Sequence, residues 1–253
     1  MYFDTHAHYD DKQFNDNRME VLDIMESAGI SLILNAASSE ESAEICIELA
    51  DKYEFIYASI GVHPHDAKTM NDDSITNLNE MLKHPKAMAV GEIGLDYHYD
   101  YSPRDIQKNR FREQLELARE INKPVIVHER EALVDTLDMI REFRDLVGVV
   151  HCFSGSWETA KIILDCGWYL SFTGVITYKN ARKALDAVEK IPADRIMIET
   201  DSPYLSPEPV RGKQNTSMNL PHIAAKIAEI RGIGIDEVAK LTMENGKRFF
   251  GIK

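Results

Sequence analysis

The feature that most limits what this chain can become is a regular alternation. Short apolar runs rich in β-branched and aromatic residues recur at 2–5, 31–36, 55–62, 87–93, 124–128, 148–153, 168–172 and 195–200. Between them the apolar positions switch to helical spacing. Ile75, Leu78 and Leu82 mark one stripe, Phe111, Leu115 and Ala118 another, and Leu133, Leu137 and Ile140 a third. A period of two residues suits a strand, and a period near 3.6 buries one face of a helix. Strands alternating with helices make βα units and a parallel sheet, because parallel neighbours need a crossover connection. Eight such units in 253 residues predict an α/β fold of one kind: a TIM-type (β/α)8 barrel, with residues 1–253 as a single domain. The runner-up is a doubly wound open sheet. That fold usually carries a Gly-rich turn after its first strand, where this chain has His6-Ala7-His8.

Local chemistry predicts several helix ends. Val21, Ile24, Met25 and Ala28 form a buried stripe stopped by Gly29. Ser38 and Glu41 have the spacing of a capping box, followed by Ala43, Cys46, Ile47 and Ala50. Ser102-Pro103-Arg104-Asp105 combines a capping hydroxyl, a proline at the first helical position and an acid in the first turn. Segments 157–164 and 181–188 follow strands six and seven. Ile223, Ile227 and Ile230, then Val238 and Leu241, mark two helices after the last strand.

Composition narrows the functional classes. No run of 18 apolar residues appears, so no membrane helix is predicted. No basic stretch followed by an apolar one opens the chain, so no signal peptide is predicted. The three cysteines, Cys46, Cys152 and Cys166, lack metal-ligand spacing and read as buried thiols of a cytoplasmic protein. Lys and Arg number 29 against 42 Asp and Glu, a net charge of −13 that disfavours a broad basic face for duplex DNA.

Polar residues close the apolar runs. Strand one ends in His6 and His8, which share a face at i and i+2. Strand three runs into His63 and His65, strand four holds Glu92, and strand five ends at His128. Strand six reaches His151, and strand eight delivers Asp201. In a parallel barrel all strand C-termini meet at one mouth, where barrel active sites lie. Singly, each residue has an ordinary structural role: a hydrogen-bonded histidine, a glutamate paired with a lysine, an aspartate capping a turn. Four imidazoles and two carboxylates together, His6, His8, Glu92, His128, His151 and Asp201, exceed the needs of one four-coordinate metal. They suit two divalent ions sharing a bridging carboxylate. Nucleophile chemistry fits poorly. Ser154-Gly155-Ser156 lacks the elbow pattern, and His151 and Cys152 are strand neighbours on opposite faces.

Six motifs carry a likeness to a known family. They are Asp4-Thr5-His6-Ala7-His8, Gly61-Val62-His63-Pro64-His65, 91–98 around Glu92, Lys123-Pro124-Val125-Ile126-Val127-His128, 151–156 and 199–205. Over its whole length the chain resembles the TatD family of metal-dependent hydrolases, a branch of the amidohydrolase superfamily. The resemblance implies a TIM-type barrel, a divalent-metal centre, and deoxyribonuclease activity, often 3′→5′ exonucleolytic, in at least some members. By position it implies that His6, His8, Glu92 and Asp201 hold one ion and that Glu92, His128 and His151 hold the second. Glu92 then takes the bridging role that a carbamylated lysine often fills in related amidohydrolases. Two segments depart from the family pattern: Glu129-Arg130-Glu131, and 211–217, where one basic and one acidic position are lost.

Two bound ions (Mg2+, Mn2+ or Zn2+) would make the mouth locally positive within an acidic protein. DNA ends or single strands, rather than intact duplex, are then the expected substrate. The predicted function is phosphodiester hydrolysis by a metal-activated water, with Asp201 as general base and Glu92 as the bridging carboxylate of the catalytic pair. His63, Arg211 and Lys213 are candidates to steady the phosphate, although a solvated loop equally explains Arg211 and Lys213. Tyr97 and Tyr204 either stack on a base or pack. The alternative is a small-molecule amidohydrolase acting on an amide, lactone or phosphoester with the same metal centre. A metal-binding scaffold without catalysis is the third reading. No obligatory protein partner and no membrane contact are implied.

Overall fold

In the computed structural model, which describes residues 1–253, the strands form one sheet in the order β1 to β8. They are β1 (Tyr2–Ala7), β2 (Ile30–Ala36), β3 (Ile56–Ile60), β4 (Ala87–Asp96), β5 (Val125–Arg130), β6 (Gly148–Val150), β7 (Tyr169–Phe172) and β8 (Ile196–Ile198). Helices α1 (Arg18–Asp23), α2 (Glu40–Lys52), α3 (Ser74–Met81), α4 (Arg104–Ile121), α5 (Leu133–Glu142), α6 (Trp157–Asp165) and α7 (Arg182–Lys190) follow the first seven strands in turn. Two more, α8 (Leu220–Arg231) and α9 (Ile235–Phe250), follow the eighth. Parallel strands in chain order, each followed by a helix, are the (β/α)8 TIM-type barrel. No helix is long and apolar enough to cross a membrane.

Contacts divide the chain into two compact units. The first comprises Met1–Asn35, Cys152–Leu164 and Tyr169–Lys253. In it β1 lies beside the end of β8: the Asp201 N–H donates to the His6 carbonyl (2.9 Å) and the His8 N–H to the Ser202 carbonyl (2.7 Å). Phe3, Ile33, Leu34, Leu170, Ile198 and Ile223 are fully buried around these strands. Each contributes about 1.5–3 kcal/mol by leaving water. Helix α9 lies so close to β1 that a Cβ at Gly246 would stand 2.6 Å from the Phe3 ring.

The second unit comprises Ala36–His151 and Asp165–Trp168. Its spine is the β4–β5 pair, which runs from Val90↔Val125 to Asp96↔Arg130 with one register shift between Val90 and Ile93. Val90, Ile93, Leu95, Val125 and Val127 are buried without alternation, as strands covered on both faces should be. Helix α4 reaches the sheet with two amides. Gln114 accepts the Val62 N–H (2.7 Å) and Gln107 accepts the Asp96 N–H (2.8 Å).

Several local expectations are corrected. Helix α1 stops at Asp23 and buries Leu22; of the expected stripe beyond it, Met25 is buried, whereas Ile24 is 47% exposed and Ala28 is exposed. Ser39, not Ser38, caps α2, its hydroxyl accepting the Ser42 N–H. Ser102 does not cap α4. Its hydroxyl donates to the His65 carbonyl and accepts the Lys68 N–H, and Pro103 takes the cap position. In α5 the first residue of the expected stripe, Leu133, is 38% exposed. β4 runs on to Asp96 because it stays paired with β5, and β6 stops at Val150, two residues before Cys152 takes φ +47°. Cys152 and Cys166 are only half-buried.

Candidate metal centre

In the first unit β1 brings His6 and His8 together. Their Nε2 atoms are 3.0 Å apart, and Asp201 Oδ1 lies 3.7 and 3.3 Å from them. Atoms bound to a common cation by bonds of roughly 2.1 Å sit roughly 3.0–3.4 Å from one another. The donor set, two imidazoles and a carboxylate, is that of a divalent transition-metal site.

Asp201 stands in the left-handed region (φ +57°), tolerated by aspartate at a modest strain. A buried network holds it there. Asp4 accepts the Thr200 N–H (2.9 Å) and the hydroxyls of Thr200 (2.5 Å) and Ser217 (2.6 Å), while the Tyr204 N–H donates to the Asp201 carbonyl (2.8 Å). Burial raises the Asp4 carboxyl to about 7 against the pull of these donors. Asn215, fully buried, donates to the carbonyls of Thr200 and Tyr204 and so ties the 211–217 loop to the same turn.

In the second unit Glu92 is the hub. Its Oε1 is 2.7 Å from His151 Nε2, 2.9 Å from His128 Nδ1 and 3.5 Å from His63 Nε2. Glycines permit the placement. A Cβ at Gly61 would meet Gly91 at 2.9 Å, and one at Gly94 would meet the His128 carbonyl at 2.1 Å.

The chemistry of His128 is decided by Asp96. That fully buried carboxylate accepts from four donors: the ring nitrogens of His65 (2.8 Å) and His128 (3.2 Å), and the backbone N–H groups of His98 (3.0 Å) and Tyr99 (2.9 Å). Burial alone would raise Asp96, but the His128 and His65 hydrogen bonds hold it well below the usual carboxylate range. Ionised, it has no proton to give, so His128 Nε2 carries the hydrogen. Nδ1 then faces Glu92 Oε1 at 2.9 Å and His151 Nε2 at 3.2 Å. Burial opposes protonation of His128, yet the hydrogen bonds to Asp96 and Glu92 raise its affinity above the ordinary value. Either a proton or a metal cation must lie among these atoms. A carboxylate fixing the tautomer of a histidine is the usual outer support of a metal ligand. The residues therefore fit a divalent ion.

His63 differs. Burial lowers it to about 4, so the ring is neutral near pH 7. Its Nδ1 accepts the His65 N–H (3.1 Å), which puts the hydrogen on Nε2 and makes that atom a donor. Arg211 and Lys213 are exposed. The Arg211 guanidinium lies 4.2 Å over the Tyr178 ring and 3.8 Å from Glu208. Tyr97 donates to Asp135 under the Arg104 guanidinium, and Tyr204 donates to Asp11 with its ring 6.3 Å from His8.

Two residues given no role by sequence reasoning, His65 and Asp96, belong to the cluster. Spacing alone held the signal. Asp96 is four residues from Glu92 on the same strand face, and His65 repeats the His6/His8 interval from His63.

Buried imidazoles and carboxylates at the C-terminal ends of parallel barrel strands define a metal-dependent hydrolase. The chain belongs to the TatD family, described as TatD related DNase, which matches residues 3–251. It is 41% identical over 254 residues to the uncharacterized metal-dependent hydrolase YabD of Bacillus subtilis, covering 100% of both chains. It is 34% identical over 249 residues to a Rahnella protein named 3'-5' ssDNA/RNA exonuclease TatD, covering 95% of this chain and 94% of that one. Among solved structures, the TatD homolog YJJV of Escherichia coli superposes with a TM-score of 0.93 at 30% identity, over 100% of this chain and 98% of the other.

Proposed function

We propose that this hydrolase is a deoxyribonuclease that removes nucleotides 3′→5′ from single-stranded or frayed DNA. We assign His6, His8, Glu92 and Asp201 to one divalent ion and Glu92, His128 and His151 to a second. The supporting observation is the placement of His128 between two carboxylates: Nε2 lies 3.2 Å from Asp96 and Nδ1 lies 2.9 Å from Glu92, an arrangement completed by a proton or by a metal cation. Family membership and the name of the Rahnella relative favour a nucleic-acid substrate.

Such ions, when bound, supply Lewis acidity at the phosphoryl oxygen and a water acidic enough to attack near neutral pH. The protein's own groups do the rest. Asp201, set in its strained turn, accepts the proton of the attacking water as general base. Glu92 supplies negative charge among the imidazoles, and Asp96 keeps the His128 ring from rotating. The His63 Nε2–H is a donor for a phosphate oxygen. A chain of net charge −13 then needs no broad basic face, because its attraction for phosphate is local. Arg211 and Lys213 add diffuse positive charge at the loop after β8.

Dialysis against excess EDTA is expected to abolish hydrolysis of a 3′-ended single strand, and Mg2+, Mn2+ or Zn2+ to restore it. Undiminished cleavage after chelation overturns the metal assignment. Faster turnover of a lactone or amide panel than of the oligonucleotide would move the assignment to a small-molecule amidohydrolase.

A further inference from the structure

The loop from β4 to α4 carries two tyrosines that the chemistry above does not use. The Tyr99 and Tyr101 rings lie nearly parallel, 18° apart with centroids 5.2 Å from each other, and remain 45% and 56% exposed. Exposed aromatic side chains on a loop are commonly mobile and unremarked. These are held. Asp96 accepts the Tyr99 N–H (2.9 Å), the Lys68 ammonium donates to the Tyr101 carbonyl (2.8 Å), and the neighbouring Ser102 hydroxyl donates to the His65 carbonyl (2.8 Å).

Their position is equally specific. The His65 ring stands edge-on to both, 5.4 Å from Tyr99 and 4.9 Å from Tyr101. The same ring donates to Asp96, which in turn orients His128. One imidazole thus separates the tyrosine pair from the ligand cluster of the second unit. In a nucleotide, one sugar separates the base from its phosphate. The exposed Arg130 guanidinium lies 4.7 Å over the Tyr99 ring, adding a cation beside the π face.

We infer that Tyr99 and Tyr101, with Arg130 over the Tyr99 ring, form a platform whose exposed Tyr101 side takes a nucleobase of the substrate strand while its phosphodiester lies at the metal cluster. Rigid aromatic faces bind bases without regard to sequence, because every base presents a π face. Asp96 links the two functions, since it fixes the metal-facing tautomer of His128 and anchors the loop that carries the platform. The inference rests on the nuclease reading and adds the recognition of bases to it.

The test uses the full metal-loaded chain and two strands, one ending in a normal 3′ nucleoside and one in an abasic residue. Joint Tyr99→Ala and Tyr101→Ala substitution is expected to raise KM about tenfold on the normal strand, with kcat little changed. On the abasic strand the difference from the parent is expected to vanish. The Tyr99→Phe, Tyr101→Phe protein should behave as the parent on both. With Asp201→Asn to hold the substrate intact, a 3′-terminal 2-aminopurine should be quenched on binding, and the alanine changes should remove the quenching. Equal KM for parent and alanine variant on the normal strand, or an equal loss on both strands, overturns the platform while leaving the nuclease reading intact. A metal-loaded parent that cleaves neither strand overturns the nuclease reading, and the platform falls with it.

Discussion

Replacing Glu92 by glutamine is expected to lower phosphodiester hydrolysis on the order of 10³-fold or more while the protein stays folded. The change keeps the shape of the side chain and removes its charge. Three imidazole nitrogens stand within 3.5 Å of Glu92 Oε1, so all three lose an anionic neighbour. The amide also brings hydrogens where lone pairs converge. Bound metal, measured by plasma mass spectrometry, should fall with the rate, whereas the thermal unfolding midpoint of the metal-free protein should move little. Asp96→Asn makes the informative comparison. All four of its side-chain contacts are donors, and an amide cannot accept from all of them. Its effect acts through the orientation of His128, for which a loss of about 10–100-fold is typical. A Glu92→Gln protein that hydrolysed the strand at the parent rate with full metal content would remove Glu92 from the centre.

The second large effect concerns folding. Gly94→Ala is expected to destabilise the chain by about 4 kcal/mol or more, enough to prevent soluble accumulation. Gly94 has φ +142°, and the added methyl would lie 2.1 Å from the His128 carbonyl and 2.9 Å from its nitrogen. Both obstacles are backbone of the paired strand, so neither can move without breaking the β4–β5 register Gly94↔His128. Gly232→Ala is the control. Gly232 also has a positive φ (+64°) at the end of α8, but nothing lies within 4 Å of its Cβ position. There only the left-handed strain remains, about 1–2 kcal/mol. Urea unfolding of both variants separates collision from strain. A Gly94→Ala protein within 1 kcal/mol of the parent would contradict the close approach of β4 to β5.

Of these two residues, Glu92 is legible in the sequence alone. Glu92 stood out as an acid inside an apolar run, an anomaly visible in one dimension. The strands and helices were legible for the same reason, since periods of two and 3.6 are local properties. The ends of elements were less so. Ser102 has the chemistry of a cap, but its hydroxyl serves His65 and Lys68 across the β4–α4 loop, a competition that no local rule contains. Of the stripe expected for the first helix only Met25 is fully buried, and Leu22 joins it.

By itself the sequence determined the alternation of strand and helix, the acidic balance of the chain, and the polar residues at six of the eight apolar runs. Those follow from side-chain type and spacing. The tertiary structure alone decided that His128 lies between Asp96 and Glu92, that Asp96 answers four donors, and that Tyr99 and Tyr101 meet face to face beside His65. Hydrogen bonds and ring stacking operate over about 3–5 Å, and such distances exist only once segments remote in the chain have been packed against one another.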